Sequence, residues 1–171
     1  MSSTAISRAR LSTQNLIHGV LVAAIVVMDQ VTKYLSNTLL PYAQAQPVVP
    51  GFDLLLVYNR GAAFSFLDDA GGWQRWALAV VSLVVSIVIA LWLWRLPARQ
   101  RLLGIALALV LGGALGNLYD RMVLGYVIDF VSLYYGSWRF ATFNIADAAI
   151  SIGALLLAID VFTGEQSDGR S

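Results

Sequence analysis

No cysteine occurs in these 171 residues, and His18 is the one histidine. The first absence removes disulfides, thiolate nucleophiles and thiolate metal sites; the second removes multi-histidine metal sites. Charge is scarce too, at 12% of residues, where a soluble domain carries about 25%. The net charge is +1 and no run of lysines or arginines marks a groove, so the basic surface that nucleic acid requires is missing. With thiol and multi-histidine chemistry excluded, carboxylate chemistry remains, and it needs neither metal nor cofactor.

What the chain has in abundance is apolar surface: 58% of residues are hydrophobic and the mean hydropathy is +0.72. Trp76 to Trp94 is 19 residues without a charge and Leu102 to Tyr119 is 18. At about 1.5 Å per residue each approaches the ~30 Å of bilayer hydrocarbon. Leu16 to Leu35 is long enough as well, although Asp29, Gln30 and Lys33 make its last third polar. Ala148 to Ile159 is short alone and reaches a spanning length only if its helix begins near Asn144 or Asp147 and continues through Phe162. Ala43-Gln44-Ala45 has the small-x-small look of a signal-peptide cleavage site, but it lies well beyond the apolar core of the first span, so that span is expected to be retained. The expected fold is a polytopic, mainly α membrane protein forming one integral membrane domain, with spans at about 15–35, 75–95, 101–120 and 145–162.

Between the spans the patterning changes. A β-rich outer loop is expected over about 40–66: Phe52 to Tyr58 reads as a strand, Asn59-Arg60-Gly61 as a turn, and Ala62 to Phe66 as a return strand. A second outer loop, about 122–143, reads as extended pieces broken at Gly136-Ser137. The polar tail, about 164–171, is expected to be disordered. Three arginines crowd the seven residues from Arg95 to Arg101, against two in the 41 from Leu35 to Arg75. This density places both termini in the cytoplasm. Asp29, Asn59, Asp129 and Asp147 then all fall toward the extracytoplasmic face.

Asp129 and Asp147 stand beside greasy segments, and a carboxylate at the bilayer centre costs roughly 2.5 to 3.5 kcal/mol. Asp147 falls at an expected helix start, where the macrodipole favours a negative charge by about 0.3 to 1 kcal/mol. Two carboxylates brought together cannot both ionise easily; the pair holds one proton, and can activate water with one member while the other donates to a carbonyl. The same residues suit a proton relay or ion path as well as a protease, whereas a non-catalytic assembly subunit gives no reason for them. Plainer readings exist for the other polar groups. Asp29 and Lys33 fit a local i, i+4 ion pair, and Asn117 and Arg121 share a helix face as a snorkelling end would. Asp120, on another face, fits a structural or solvated charge, and Asp53, Asp68 and Asp69 fit loop charges or caps. His18 fits a packed core residue, and Gly112 to Gly116 a small-xxx-small helix contact.

Five blocks occur in order: Asp29-Gln30-Val31-Thr32-Lys33, Asn59-Arg60-Gly61-Ala62-Ala63-Phe64-Ser65, Gly113-Ala114-Leu115-Gly116-Asn117-Leu118-Tyr119-Asp120-Arg121, Val127-Ile128-Asp129-Phe130 and Phe143-Asn144-Ile145-Ala146-Asp147. Together they resemble the signature blocks of bacterial lipoprotein signal peptidase, also called signal peptidase II. The resemblance implies an inner-membrane aspartic endopeptidase that cuts diacylglyceryl-modified prolipoproteins just before the modified cysteine. It implies Asp129 and Asp147 as the catalytic pair, with Asn59, Gly61, Asn117, Arg121, Asn144, Asp29 and Lys33 in substrate-binding or supporting roles. It further implies four spans with an extracytoplasmic β-cradle, contact with membrane lipids, and sensitivity to globomycin-type inhibitors.

Overall fold

The computed structural model describes residues 13–61 and 73–168, with side chains through 163. Four helices cross in the expected places: α1 (Thr13–Leu39), α2 (Trp73–Arg95), α3 (Arg101–Val123) and α4 (Ile145–Asp168). Each is long and apolar enough to span a bilayer. Helix α1 outruns its expected end and stops just ahead of Pro41, as the steric clash of a proline with the preceding residue demands. At the other extreme, α4 continues through Asp168, so the stretch 164–168 is helical, not the tail its polar composition led us to expect.

Helix α3 packs against all three others, and 56% of its spanning window is buried, against 17% to 22% for the rest. Its central place follows from its glycines. A Cβ on Gly113 would strike the Ala146 carbonyl of α4, and one on Gly116 would lie 2.6 Å from the Asp29 carboxylate of α1. Small residues on neighbouring faces thus let two different helices approach one backbone. Outward, the helices expose Val80, Val81, Val84, Ile152 and Leu155, a surface suited to lipid tails. Trp73 and Trp76 at one end of α2, with Trp92 and Trp94 at the other, are also exposed and form the aromatic belts of the two interfaces.

The sheet has the order β1 (Gln46–Val49), β2 (Phe52–Asn59), β3 (Val127–Tyr135), β4 (Trp138–Arg139), all antiparallel. Strand β1 holds Pro47, which an edge strand tolerates because its missing N–H leaves no inner partner unpaired. The break at Gly136-Ser137 is the hairpin between β3 and β4, with Gly136 at φ 60°. The expected return strand at 62–66, and Asp68 and Asp69, lie outside the described residues. Asp53 corrects its reading as a loop charge: it sits on β2, 3% exposed, and takes a 2.7 Å ion pair from Arg139.

Candidate active site

Two elements of different kinds deliver the paired aspartates. Asp129 lies on β3 opposite Val57 of β2; Asp147 lies in the first turn of α4. The backbone joins them, because Phe143 pairs with Val131 through hydrogen bonds of 2.9 and 3.0 Å. The next residue, Asn144, then turns from the sheet into the helix alongside Asp129.

Asn144 is the N-cap of α4, its carbonyl accepting from Ala148 N–H. Its Oδ1 accepts from the Asp147 N–H at 2.9 Å, and its own N–H donates to Asp147 Oδ2 at 3.3 Å. This reciprocal pair is a capping box with Asp in the acidic position. Because Oδ1 faces a donor, the Nδ2 end faces the sheet, where it donates to Asp129 Oδ1 at 2.8 Å and to Ile128 O and Asn117 Oδ1 at longer range. One residue thus touches both carboxylates, Asp129 through its side-chain amide and Asp147 through its backbone N–H.

The same logic orients two more asparagines. Lys33 has three N–H donors and no acceptor, and it donates to Asn117 Oδ1 at 2.9 Å. Asn117 Nδ2 is left to donate to Asp147 Oδ1 at 2.7 Å. On β2, the Gly61 N–H donates to Asn59 Oδ1 at 2.9 Å, so Asn59 Nδ2 donates to Asp129 Oδ2 at 3.1 Å. Gly61 makes this turn at φ 106°, where a Cβ would also lie 2.6 Å from Leu78; only glycine fits.

Beneath the asparagines lies a buried ionic layer. Lys33 Nζ sits 2.7 Å from Asp29 Oδ2 and 2.8 Å from Asp120 Oδ2, all three residues at most 1% exposed. Asp29 Oδ1 accepts from the Ala146 N–H of α4 at 2.9 Å. Asp29 and Lys33 form the expected i, i+4 pair and, beyond it, tie α1 to α3 and α4. Asp120 is structural and wholly buried, not solvated, and also accepts from Gln30 Nε2 and the Ile128 N–H. Neither Asp120 nor Gln30 was among the expected site residues, although both lie inside the conspicuous blocks.

Arg121 donates to Asn117 O at 3.2 Å, and its guanidinium is electrostatically coupled to Asp147, Asp120 and Asp129. All nine expected site residues thus belong to one connected network. His18 and Asp53 lie outside it. The two paired carboxylates differ in setting: Asp129 is 1% exposed, whereas Asp147 is half-buried. Burial pushes the Asp129 carboxyl up to about 6, with Asp147 adding to the rise, while hydrogen bonds from Asn59 and Asn144 and the charge of Lys33 oppose it. Such a pair can hold a proton at Asp129, with Asp147 the more accessible member.

Apolar helices around an interlocked polar core, with a carboxylate pair at the seam of bundle and sheet, define a multi-pass membrane protein with a carboxylate-centred site. The chain belongs to the signal peptidase II family: the family model for "Signal peptidase (SPase) II" matches residues 21–163. The lipoprotein signal peptidase of Ectopseudomonas mendocina is 54% identical over 145 residues, covering 84% of this chain and 86% of that one. That of Hydrogenovibrio crunogenus is 53% identical over 138 residues, covering 81% and 80%. Two solved bacterial membrane enzymes, determined by the in meso method at 2.3 and 1.9 Å, share the fold. They superpose with TM-scores of 0.76 and 0.75 at 25% and 27% identity, covering 91% and 85% of this chain and 92% of each of theirs.

Proposed function

We propose that this chain is an aspartic endopeptidase of the bacterial inner membrane that removes signal peptides from prolipoproteins, hydrolysing the bond just before the diacylglyceryl-modified cysteine. The observation that carries the catalytic assignment is the unequal pair: a buried Asp129 with a raised pKa and a half-buried Asp147, both held by Asn144. Asp147 takes a proton from water as the water oxygen attacks the scissile carbonyl carbon, and Asp129 gives its proton to the carbonyl oxygen. As the tetrahedral intermediate collapses, Asp147 returns its proton to the departing cysteine nitrogen and Asp129 recovers its own. Asn59 is held by Gly61 at one end and donates to Asp129 at the other, which favours a role in setting Asp129. Arg121, with N–H groups to spare, is the better candidate for holding a substrate carbonyl. The lipidated cysteine fixes the bond at one depth, and globomycin-type inhibitors compete for the same place. The positively charged Arg95 to Arg101 turn supports cytoplasmic termini and a pair that faces outward.

Cleavage of a diacylglyceryl peptide by the purified protein tests the reading. Asp129→Asn and Asp147→Asn are each expected to lower the rate by about 10²- to 10⁴-fold, with unprocessed lipidated precursor accumulating in a gel-shift assay. Normal processing by either folded variant would sink the assignment, and proton flux in proteoliposomes without cleavage would replace it with a relay.

A further inference from the structure

The mechanism uses one end of the bundle. At the other end, between α1, α2 and α3, lies a cavity of about 270 Å³, lined by Gly19 and Val22 of α1, Ala90, Leu93 and Trp94 of α2 and Leu111 of α3. Its walls are mostly apolar, with Asn15 and His18 of α1 the two polar residues among them. His18 is 6% exposed and has an Nδ1 atom with no hydrogen-bond partner. The opposite edge of the imidazole rests on Gly104, where a Cβ would collide with Nε2 and Cε1. A buried polar nitrogen without a partner is costly, and its cost is removed by whatever molecule fills the cavity with a matching group.

Depth and charge narrow the choice of that molecule. Ala90 is five residues before the end of α2, roughly 7 Å below Arg95 along the helix. The cavity therefore runs from near the headgroup level into the hydrocarbon, where Val22 and Leu111 line its deeper part. Directly above it run Arg95, Arg99 and Arg101, all exposed, with no acidic residue among them and no ion pair to any described residue. Trp94 and Ala90 are exposed on the bilayer side, so the space opens sideways to lipid. An apolar slot, a hydrogen-bonding nitrogen one step above it and a cluster of cations above that follow the same order as an acyl chain, its ester carbonyl and a phosphate.

We propose that this cavity is a binding site for an anionic phospholipid of the leaflet opposite the carboxylate pair. One acyl chain lies between α1 and α2, the Nδ1–H tautomer of His18 donates to an ester carbonyl, and the arginine turn holds the phosphate. The site is independent of the peptidase reading and needs only the spanning helices.

Native mass spectrometry of the full-length protein in detergent, titrated with phosphatidylglycerol or phosphatidylcholine, tests it. Phosphatidylglycerol is expected to be retained preferentially. Gly19→Leu is the decisive variant: a Cβ there meets nothing within 4 Å, so the leucine enters the cavity without a clash and improves the helix propensity of α1. It is expected to lower retention about tenfold, and Arg95→Gln about fivefold. Equal retention of the two lipids, no retained lipid, or wild-type binding by Gly19→Leu would each overturn the proposal.

Discussion

Three asparagines are oriented around the carboxylate pair by donors they did not choose. An asparagine side chain has one accepting and one donating end, and nothing in its shape decides which faces the partner. Here Lys33 decides for Asn117, the Asp147 N–H for Asn144 and the Gly61 N–H for Asn59. Asn144 performs two separable tasks. Asn144→Ala is expected to lose the N-cap, worth about 1 kcal/mol, and the hydrogen bond to Asp129 together. Asn144→Ser keeps a capping oxygen and is expected to unfold at nearly the wild-type temperature while cleaving lipidated peptide at least tenfold more slowly. A matched loss of stability in both variants would make Asn144 merely a cap. Asp129 carries a pH signature of its own. Below about pH 4 its carboxyl is neutral whether the chain is folded or not; between about 4 and 6 the folded chain alone keeps the proton; above 6 the buried charge opposes folding by up to about 3 kcal/mol. Stability from this group is thus lost as pH rises through 6. Asp129→Asn is expected to flatten that part of the melting temperature against pH, compared with wild type in the same detergent.

At the scale of elements, helices in lipid gain little from burying apolar side chains against each other, since the lipid is equally apolar. The Lys33 layer supplies the cohesion: one ammonium joins carboxylates from α1 and α3, and Asp29 reaches across to the start of α4. Lys33→Met is expected to leave two buried carboxylates without their cation, lowering stability by about 3 to 5 kcal/mol and freeing Asn117 to flip. A melt in detergent, beside a cleavage assay, checks both effects. The uninterrupted apolar runs at Trp76–Trp94 and Leu102–Tyr119 made α2 and α3 legible from sequence. So did the helix start at Asn144, where cap and acid stand three apart. The Lys33–Asp120 contact was not, because its partners are on different helices and i, i+4 spacing offered Lys33 a sufficient local explanation. Asp53 was misread for a related reason: Pro50 and Gly51 mark a turn, whereas the arginine that pairs with it is 86 residues away. Strand β1 hid behind Pro47, tolerable only because the strand has one free edge.

For the whole molecule, the absence of cysteine becomes useful, since any thiol introduced is the one thiol present. Ser137→Cys, in the hairpin between β3 and β4, is expected to react with a membrane-impermeant maleimide in cells whose outer barrier is opened. Ala98→Cys, in the turn between α2 and α3, is expected to react only after lysis. Reversed labelling would put the carboxylate pair on the cytoplasmic side. Site membership was largely legible through the order of the five blocks, yet which carboxylate is deeper was not. That difference arises from packing: Asp129 lies within the sheet, bonded by Asn59 and Asn144, while Asp147 in the first turn of α4 is less buried.

The seam has a consequence for how the chain is made. Asp129 emerges on a strand, and Asp147 belongs to the fourth span, joined to the first by packing and by the hydrogen bond from the Ala146 N–H to Asp29. A nascent chain that has inserted three helices and folded its strands holds half of a reactive pair. Under the proposed function, proteolytic potential then waits on the docking of the fourth span, and a product lacking that span is expected to be inert.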